Sequence, residues 1–223
     1  MSVPILVYHY IRVNPNPSDR LGFNLCVTPA HFAAQMDYLQ AAGIHPVTIA
    51  DVMNMLSGGP TLPPHPVVLS FDDGHSDFAT AAAPILHRHG FVGTDFVVSG
   101  FIGRPQYMTA AQIHDVVAMG MVIGAHTVHH VELDRQPAPV AAREITASRA
   151  ALERLLGIPV LDFAYPYGGV NAAVVKDVQA AGYRDAVTMH PGDEQRISTR
   201  YLLPRIRVLG YDTVASFAQK ALL

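Results

Sequence analysis

The 223-residue chain has a single cysteine and no tryptophan. One cysteine, Cys26, excludes an internal disulfide, so the fold must be held by its apolar core, and a disulfide-free chain is tolerated inside or outside the cell. Without tryptophan, a stacking surface for a ring-shaped ligand has to be built from tyrosine or phenylalanine. Charge is scarce as well. Only 15% of residues are charged and the net charge is -3, which gives no basic field for a phosphate backbone and argues against nucleic acid as a partner. Long apolar runs are missing: the stretch from Val116 to Ala125 is interrupted by Gly120 and Gly124 and reaches about half the length of a bilayer crossing, so no transmembrane segment is predicted. Met1 to Tyr8 has neither the basic start nor the apolar length of a secretory signal, which fits a cytoplasmic protein or one whose leader has been removed. Compartment and oligomeric state stay open.

What is present is ample material for a core, with half the residues hydrophobic. Residues 1–223 read as one domain. Short β-branched runs alternate with helical patterns, the mark of repeated strand–helix units around a mainly parallel sheet. Strands are predicted near Ile5–Tyr8, His45–Thr48, Val67–Phe71, Gly93–Val98, Met121–Gly124, Val160–Ala164, Asp185–Met189 and Leu203–Val208. Thr28 and Pro29 open a helix with Phe32, Met36 and Leu39 on one face and Gly43 at its end; Thr109 opens another that stops at Gly120. A long amphipathic stretch runs from Val140 to Leu156, and Arg143, Glu144, Arg149, Glu153 and Arg154 read as its solvated face. Asp77 to His89 is helical in composition, with a kink or late start expected at Pro84. Gly58–Pro66 reads as a surface loop. Seven or eight strands in a chain of this length favour an α/β barrel over an open sheet.

Two segments carry chemistry. Val67-Val68-Leu69-Ser70-Phe71 ends on Asp72-Asp73-Gly74, and about fifty residues later Gly124-Ala125 is followed by His126-Thr127-Val128-His129-His130. A first-row divalent cation, zinc first among them, takes imidazole nitrogen and carboxylate oxygen, and a hydrolytic site needs three protein ligands and one open position. Asp73, His126 and His130 supply that set, leaving Asp72 as a general base. An Asp-Asp-Gly can equally be a turn or a helix cap, and a histidine pair a coincidence among twelve histidines; His129 is an alternative ligand by a register change, and His75 a residue behind the ligands, an exposed one, or an additional ligand. In parallel α/β folds the carboxyl ends of strands carry the chemistry, and both segments, with Pro166-Tyr167-Gly168, fall on that rim.

These segments resemble the polysaccharide deacetylases, carbohydrate esterase family 4. Ser-Phe-Asp72-Asp73-Gly74 is similar to its first motif, in which the first Asp is the base and the second a metal ligand, and His126-Thr-Val-His-His130 to its His-Ser/Thr-x-x-His pair. The resemblance implies a distorted (β/α)7 barrel, a divalent metal, an acetylated oligo- or polysaccharide as substrate, and a pocket in which Pro166 and Tyr167 form the wall and supply a backbone donor to the oxyanion. The chain departs from the family in having no Arg shortly before Pro166-Tyr167, no Trp and no late His. A circularly permuted branch, similar to the bacterial poly-β-1,6-N-acetylglucosamine deacetylases, draws its acid from the first strand, which here implies His9 in Ile5-Leu-Val-Tyr-His9-Tyr-Ile11. In that branch Arg205, in Leu-Pro-Arg-Ile, implies a residue that orients Asp72. The expected reaction is hydrolysis of N-acetyl groups from an N-acetylglucosamine-containing glycan, with metal-bound water as nucleophile. Two alternatives accompany it: an O-acetyl esterase on a xylan-type polysaccharide, and a catalytically silent glycan-binding barrel.

Overall fold

The computed structural model describes residues 1–16 and 18–222. Its framework is a set of parallel strands in the order β10, β1, β5, β6, β7, β8, β9. These are Ile206–Arg207 (β10), Ile5–Tyr8 (β1), Pro66–Asp73 (β5), Thr94–Val97 (β6), Val122–Ala125 (β7), Asp162–Ala164 (β8) and Asp185–Val187 (β9). The ring closes where Val187 of β9 bridges Leu203, just ahead of β10. Seven staves thus form a distorted (β/α)7 barrel. The distortion is visible in the pairing: β1 and β5 share four register pairs, whereas β7 meets β8 at the single pair Ala125–Phe163.

Alternation along β5 sets both the core and the site. Val68, Ser70 and Asp72 face one way, while Val67, Leu69 and Phe71 face the helices in the larger apolar cluster with Phe32, Met36 and Leu39 of α2 (Pro29–Ala41). Inside the barrel Val68 packs with Ile5, Phe96, Ala164, Val187 and Leu203, and Ile49, Val52 and Met53 join them from the amino ends of the strands. The inner face of β5 is therefore apolar at its start and polar at its carboxyl end.

Several elements differ from the sequence reading. The strand expected over His45–Thr48 is only His45–Pro46 (β4), which pairs with the start of β5 off the ring. Thr48 instead caps a helix, α3 (Ile49–Leu56): its hydroxyl accepts from Asp51 N–H, and the Asp51 carboxylate accepts from Thr48 N–H. The run Leu203–Val208 is regular only at β10, because Pro204 has no N–H for a ladder. A two-stranded pair, Tyr10–Ile11 (β2) with Cys26–Val27 (β3), encloses a short helix, α1 (Arg20–Leu25), that the sequence pattern did not signal. The irregularity expected near Pro84 is a π-helical turn, Phe78–Ala82, leading into α4 (Ala83–Arg88). Helix α5 is Ala110–Ala118, and α6 spans Ala138–Leu156, ending on left-handed Gly157. The helices α7 (Ala172–Ala180) and α8 (Val214–Ala221) complete the shell. Among the described residues, no helix is long and apolar enough to cross a membrane.

Candidate metal centre and cleft

At the carboxyl ends of the strands lies a cleft of about 370 Å³, lined by His9, Tyr10, Asp72, Asp73, His75, His126, His130, Tyr167 and Arg207 among others. That is within the range of small-ligand sites. On a regular strand Asp72 and Asp73 would point to opposite faces. Asp73 ends β5 with φ +82°, and both carboxylates line the same cleft.

One carboxylate oxygen, one nitrogen of His126 and one of His130 lie within 4.8 Å of one another. Asp73 Oδ1 is 3.1 Å from His130 Nε2 and 3.6 Å from His126 Nε2. His126 is buried, and its Nδ1 donates to the Ala164 carbonyl at 2.7 Å, which fixes the tautomer and leaves Nε2 with its lone pair towards Asp73. Burial lowers the His126 pKa to about 4, so the ring is neutral, the form a metal requires. For Asp73, burial acts upward, but hydrogen bonds from His130 and His75, and the charge His126 takes up in the acid range where the carboxyl titrates, outweigh it and hold the carboxyl well below its usual value. Two imidazoles and an ionised carboxylate converging on one point fit a divalent cation such as zinc.

Asp72 has a different partner. Arg205, fully buried, grips it two-pronged, Nη1 to Oδ1 at 2.8 Å and Nη2 to Oδ2 at 2.7 Å. Arg205 is itself held by the Thr188 carbonyl and Ser70 Oγ. Burial pushes Asp72 up, yet the Arg205 charge, His126 and the Arg205 hydrogen bonds reverse the balance and lower its pKa. His9 follows β1, which lies between β10 and β5, and burial lowers its pKa against the opposing pull of Asp72 and Asp73. Its Nδ1 is buried and has no hydrogen-bond partner among the described residues. Tyr167 is 69% exposed with φ +58°, its ring 4.6 Å from that of His130, and its N–H has no backbone acceptor among the described residues.

The loop between the two histidines is held in ways the sequence reading missed. Thr127 Oγ1 accepts from His130 N–H at 2.9 Å, and both residues adopt positive φ, +64° and +56°. Such conformations cost roughly 1–3 kcal/mol each for non-glycine residues and persist only where the surroundings enforce them. Glu144, assigned from its spacing to the solvated face of the long helix, is 7% exposed and points inward. It accepts from Val128 N–H (2.9 Å), His129 N–H (2.8 Å) and His129 Nδ1 (2.7 Å), and one turn on Ser148 Oγ donates to the Thr127 carbonyl. His129 is thereby turned to Glu144, away from Asp73. On the other side Gly100 N–H reaches the Val128 carbonyl at 3.0 Å, an approach a side chain would block. His75 is buried, its Nε2 3.3 Å from Asp73 Oδ2 and its ring between Tyr10 and Tyr107.

This barrel and cleft define a class. A family profile described as Polysaccharide deacetylase matches residues 59–186, and the chain belongs to that family. The match includes Asp72, Asp73, both histidines and Tyr167, but neither His9 nor Arg205. The chain is 29% identical over 206 residues to YxkH of Bacillus subtilis (strain 168), covering 92% of this chain and 71% of that one. It is 23% identical to a Staphylococcus epidermidis protein named poly-beta-1,6-N-acetyl-D-glucosamine N-deacetylase, over 91% of this chain and 78% of the other. Among solved structures, Streptococcus pyogenes deacetylase PplD in complex with acetate is 28% identical with a TM-score of 0.92, covering 99% of this chain and 98% of that chain. IcaB from Ammonifex degensii is 26% identical with a TM-score of 0.85, covering 100% and 97%.

Proposed function

We propose that this deacetylase is metal-dependent and removes acetyl groups from an N-acetylglucosamine-containing glycan. The observation that carries the proposal is the convergence of Asp73, His126 and His130 beside a separate, Arg-held Asp72. The acetate-bound PplD and the relatives named for N-acetylglucosamine polymers support both bond and substrate class. Asp73, His126 and His130 would hold the cation, which when bound supplies Lewis acidity towards the acetyl carbonyl and the attacking water.

The remaining chemistry belongs to the chain. Asp72, kept ionised by Arg205, takes the proton from the attacking water, and Arg205 fixes the carboxylate plane so that proton transfer has one geometry. The Tyr167 N–H is a donor for the developing oxyanion, a contribution worth about 2.7–4 kcal/mol where such donors have been removed. An amide nitrogen leaves only when protonated, and His9 on the cleft wall delivers that proton; its origin on the first strand, the permuted order, is part of this reading. Tyr10, Tyr107 and Tyr167 give sugar rings apolar faces to rest on.

Acetate release from matched N-acetylated and O-acetylated oligosaccharides, with chelated and zinc-reconstituted protein, tests the proposal. Amide cleavage that requires the metal and Asp72 is expected. The lowered pKa of His9 favours one second reading, ester hydrolysis, since an alcohol leaves with less help from an acid. Ester cleavage alone, indifferent to His9→Ala, would establish it. Glycan binding without turnover, unchanged in Asp72→Asn, would instead mark a silent barrel.

A further inference from the structure

Arg205 and Arg207 flank Ile206 at β10, so alternation turns both side chains to one face, roughly 6.6 Å apart along the strand. Their fates differ. Arg205 is buried and bound to Asp72, while Arg207 is exposed, lines the cleft beside His9 and has no carboxylate partner among the described residues. Only its backbone carbonyl is engaged, by Lys220 Nζ at 3.0 Å. A second guanidinium, Arg104, lies 4.5 Å over the ring of Phe101, another lining residue, and is also without a carboxylate. Among the described residues the only acidic groups lining the cleft are Asp72 and Asp73, both engaged, the one by Arg205 and the other by histidines. Glu132 and Asp134 lie near Gly169, outside the lining, and Glu132 pairs with Arg135. A chain of net charge -3 thus presents an uncommitted cation, Arg207, at its cleft, with Arg104 against one of the lining rings.

We infer that Arg207 makes the cleft charge-selective: the preferred glycan carries an anionic substituent, a carboxylate or a phosphate, on a sugar adjoining the one that loses its acetyl group. This deepens the proposed function and rests on it. A guanidinium presents a planar fork matched to either anion, and hydrogen bonds between charged groups are about twice as strong as neutral ones. The same charge disfavours a chain already carrying a free ammonium beside the reacting sugar, so clustered deacetylation is discouraged.

The test compares kcat/KM for N-acetylated oligosaccharides of one length that are neutral, carboxylated or phosphorylated, at low and high salt, using wild type, Arg207→Gln and Arg207→Lys. Wild type is expected to prefer an anionic substrate roughly tenfold at low salt. The ratio should fall towards one in Arg207→Gln, be largely kept in Arg207→Lys and shrink with salt; the two anionic arms show which group is read. A ratio near one in wild type, or one unchanged in Arg207→Gln, overturns the inference. If no glycan releases acetate, the deacetylase reading fails separately, and calorimetric binding of the same glycans decides the role of Arg207, equal affinities for neutral and anionic forms rejecting it.

Discussion

The barrel has a buried charge cluster at each end, built from the same residue types with opposite electrostatic results. At the amino ends, Asp162 and Asp185 open β8 and β9, and the single Arg184 contacts both, its Nε 2.9 Å from Asp185 Oδ2. Burial raises the pKa of each carboxyl, and one shared guanidinium does not reverse it. At the carboxyl ends Asp72 is as deeply placed and Asp73 somewhat less so, yet both are lowered, because Arg205 serves Asp72 alone and Asp73 has histidines. Buried carboxylates alone therefore do not mark a reaction centre. What sets the proposed reaction centre apart is that its carboxylates share no guanidinium, that it opens to solvent and that its backbone is strained: of six non-glycine residues with positive φ among those described, Asp73, His130 and Tyr167 line the cleft and Thr127 holds the loop behind it.

The largest way to sharpen this contrast is to remove one carboxylate from each end. Asp72→Asn should lower kcat for acetate release by about 10²–10⁴-fold, whereas Asp162→Asn should leave turnover within a few-fold. Because Asp72→Asn leaves Arg205 buried without its counter-charge, it should also be destabilised, by about 3–5 kcal/mol, so the two variants are compared at a temperature where circular dichroism shows both folded. Comparable losses of turnover from the two ends would dissolve the distinction.

His9→Ala comes next, with an expected loss of about 10²-fold for amide substrates and much less for esters. Burial lowers the His9 pKa from its ordinary 6.5, so the protonated form is the minority near neutrality. In wild type, kcat/KM for the amide should decline as pH rises through a limb below pH 6.5 that is missing from the ester profile. An amide profile unaltered in His9→Ala would remove His9 as the acid.

How much of this was legible in the sequence follows from the range of the interactions. The Asp-Asp and His-x-x-x-His segments each sit at the end of an apolar run, and parallel strands bring such ends to one rim, so their meeting could be read from strand periodicity. The family resemblance added the pairing of Arg205 with Asp72, which joins residues 133 positions apart and leaves no local trace. Helix α3 was missed because Pro46 and Val47 continue a β-like run into its cap, although Thr48 and Asp51 spell a capping box. Glu144 was misread for a general reason: a charged residue at helical spacing looks the same whether it meets water or an unpaired loop backbone. Its only sequence signal was the pair Glu144 and Ser148, one turn apart on the face of Ile145 and Leu152.

Glu144 supplies the third prediction, since it separates holding the ligand loop from touching the reaction. Glu144→Gln keeps the shape and removes the charge that three donors share, so zinc affinity measured by chelator competition should weaken about tenfold, in the range known for groups that orient ligands. At saturating zinc kcat should recover most of its wild-type value. A fall in kcat that zinc does not restore would mean that the loop contributes more than ligand placement.

The smallest expected effect lies at the opposite end. Asp185 binds its proton more tightly in the folded state than its ordinary value of 3.8, so the contribution of that group is present below this value and is lost as pH rises through the folded pKa. Asp72 runs the other way, with stability present above 3.8 and lost as pH falls through its lowered folded value. Asp185→Asn abolishes the cost of ionising the second carboxyl beside Arg184, so its melting temperature relative to wild type should improve from about pH 4 to about pH 8. A change of about 1 kcal/mol corresponds to roughly 2–4 °C in a chain of this size. Asp72→Asn, which lacks that contribution, should trail wild type by a nearly constant margin over the same interval and regain ground only as pH falls below 3.8, when both are measured on metal-free protein. Parallel trends in the two variants would show that the two ends are electrostatically alike after all, and that partner count is not what separates them.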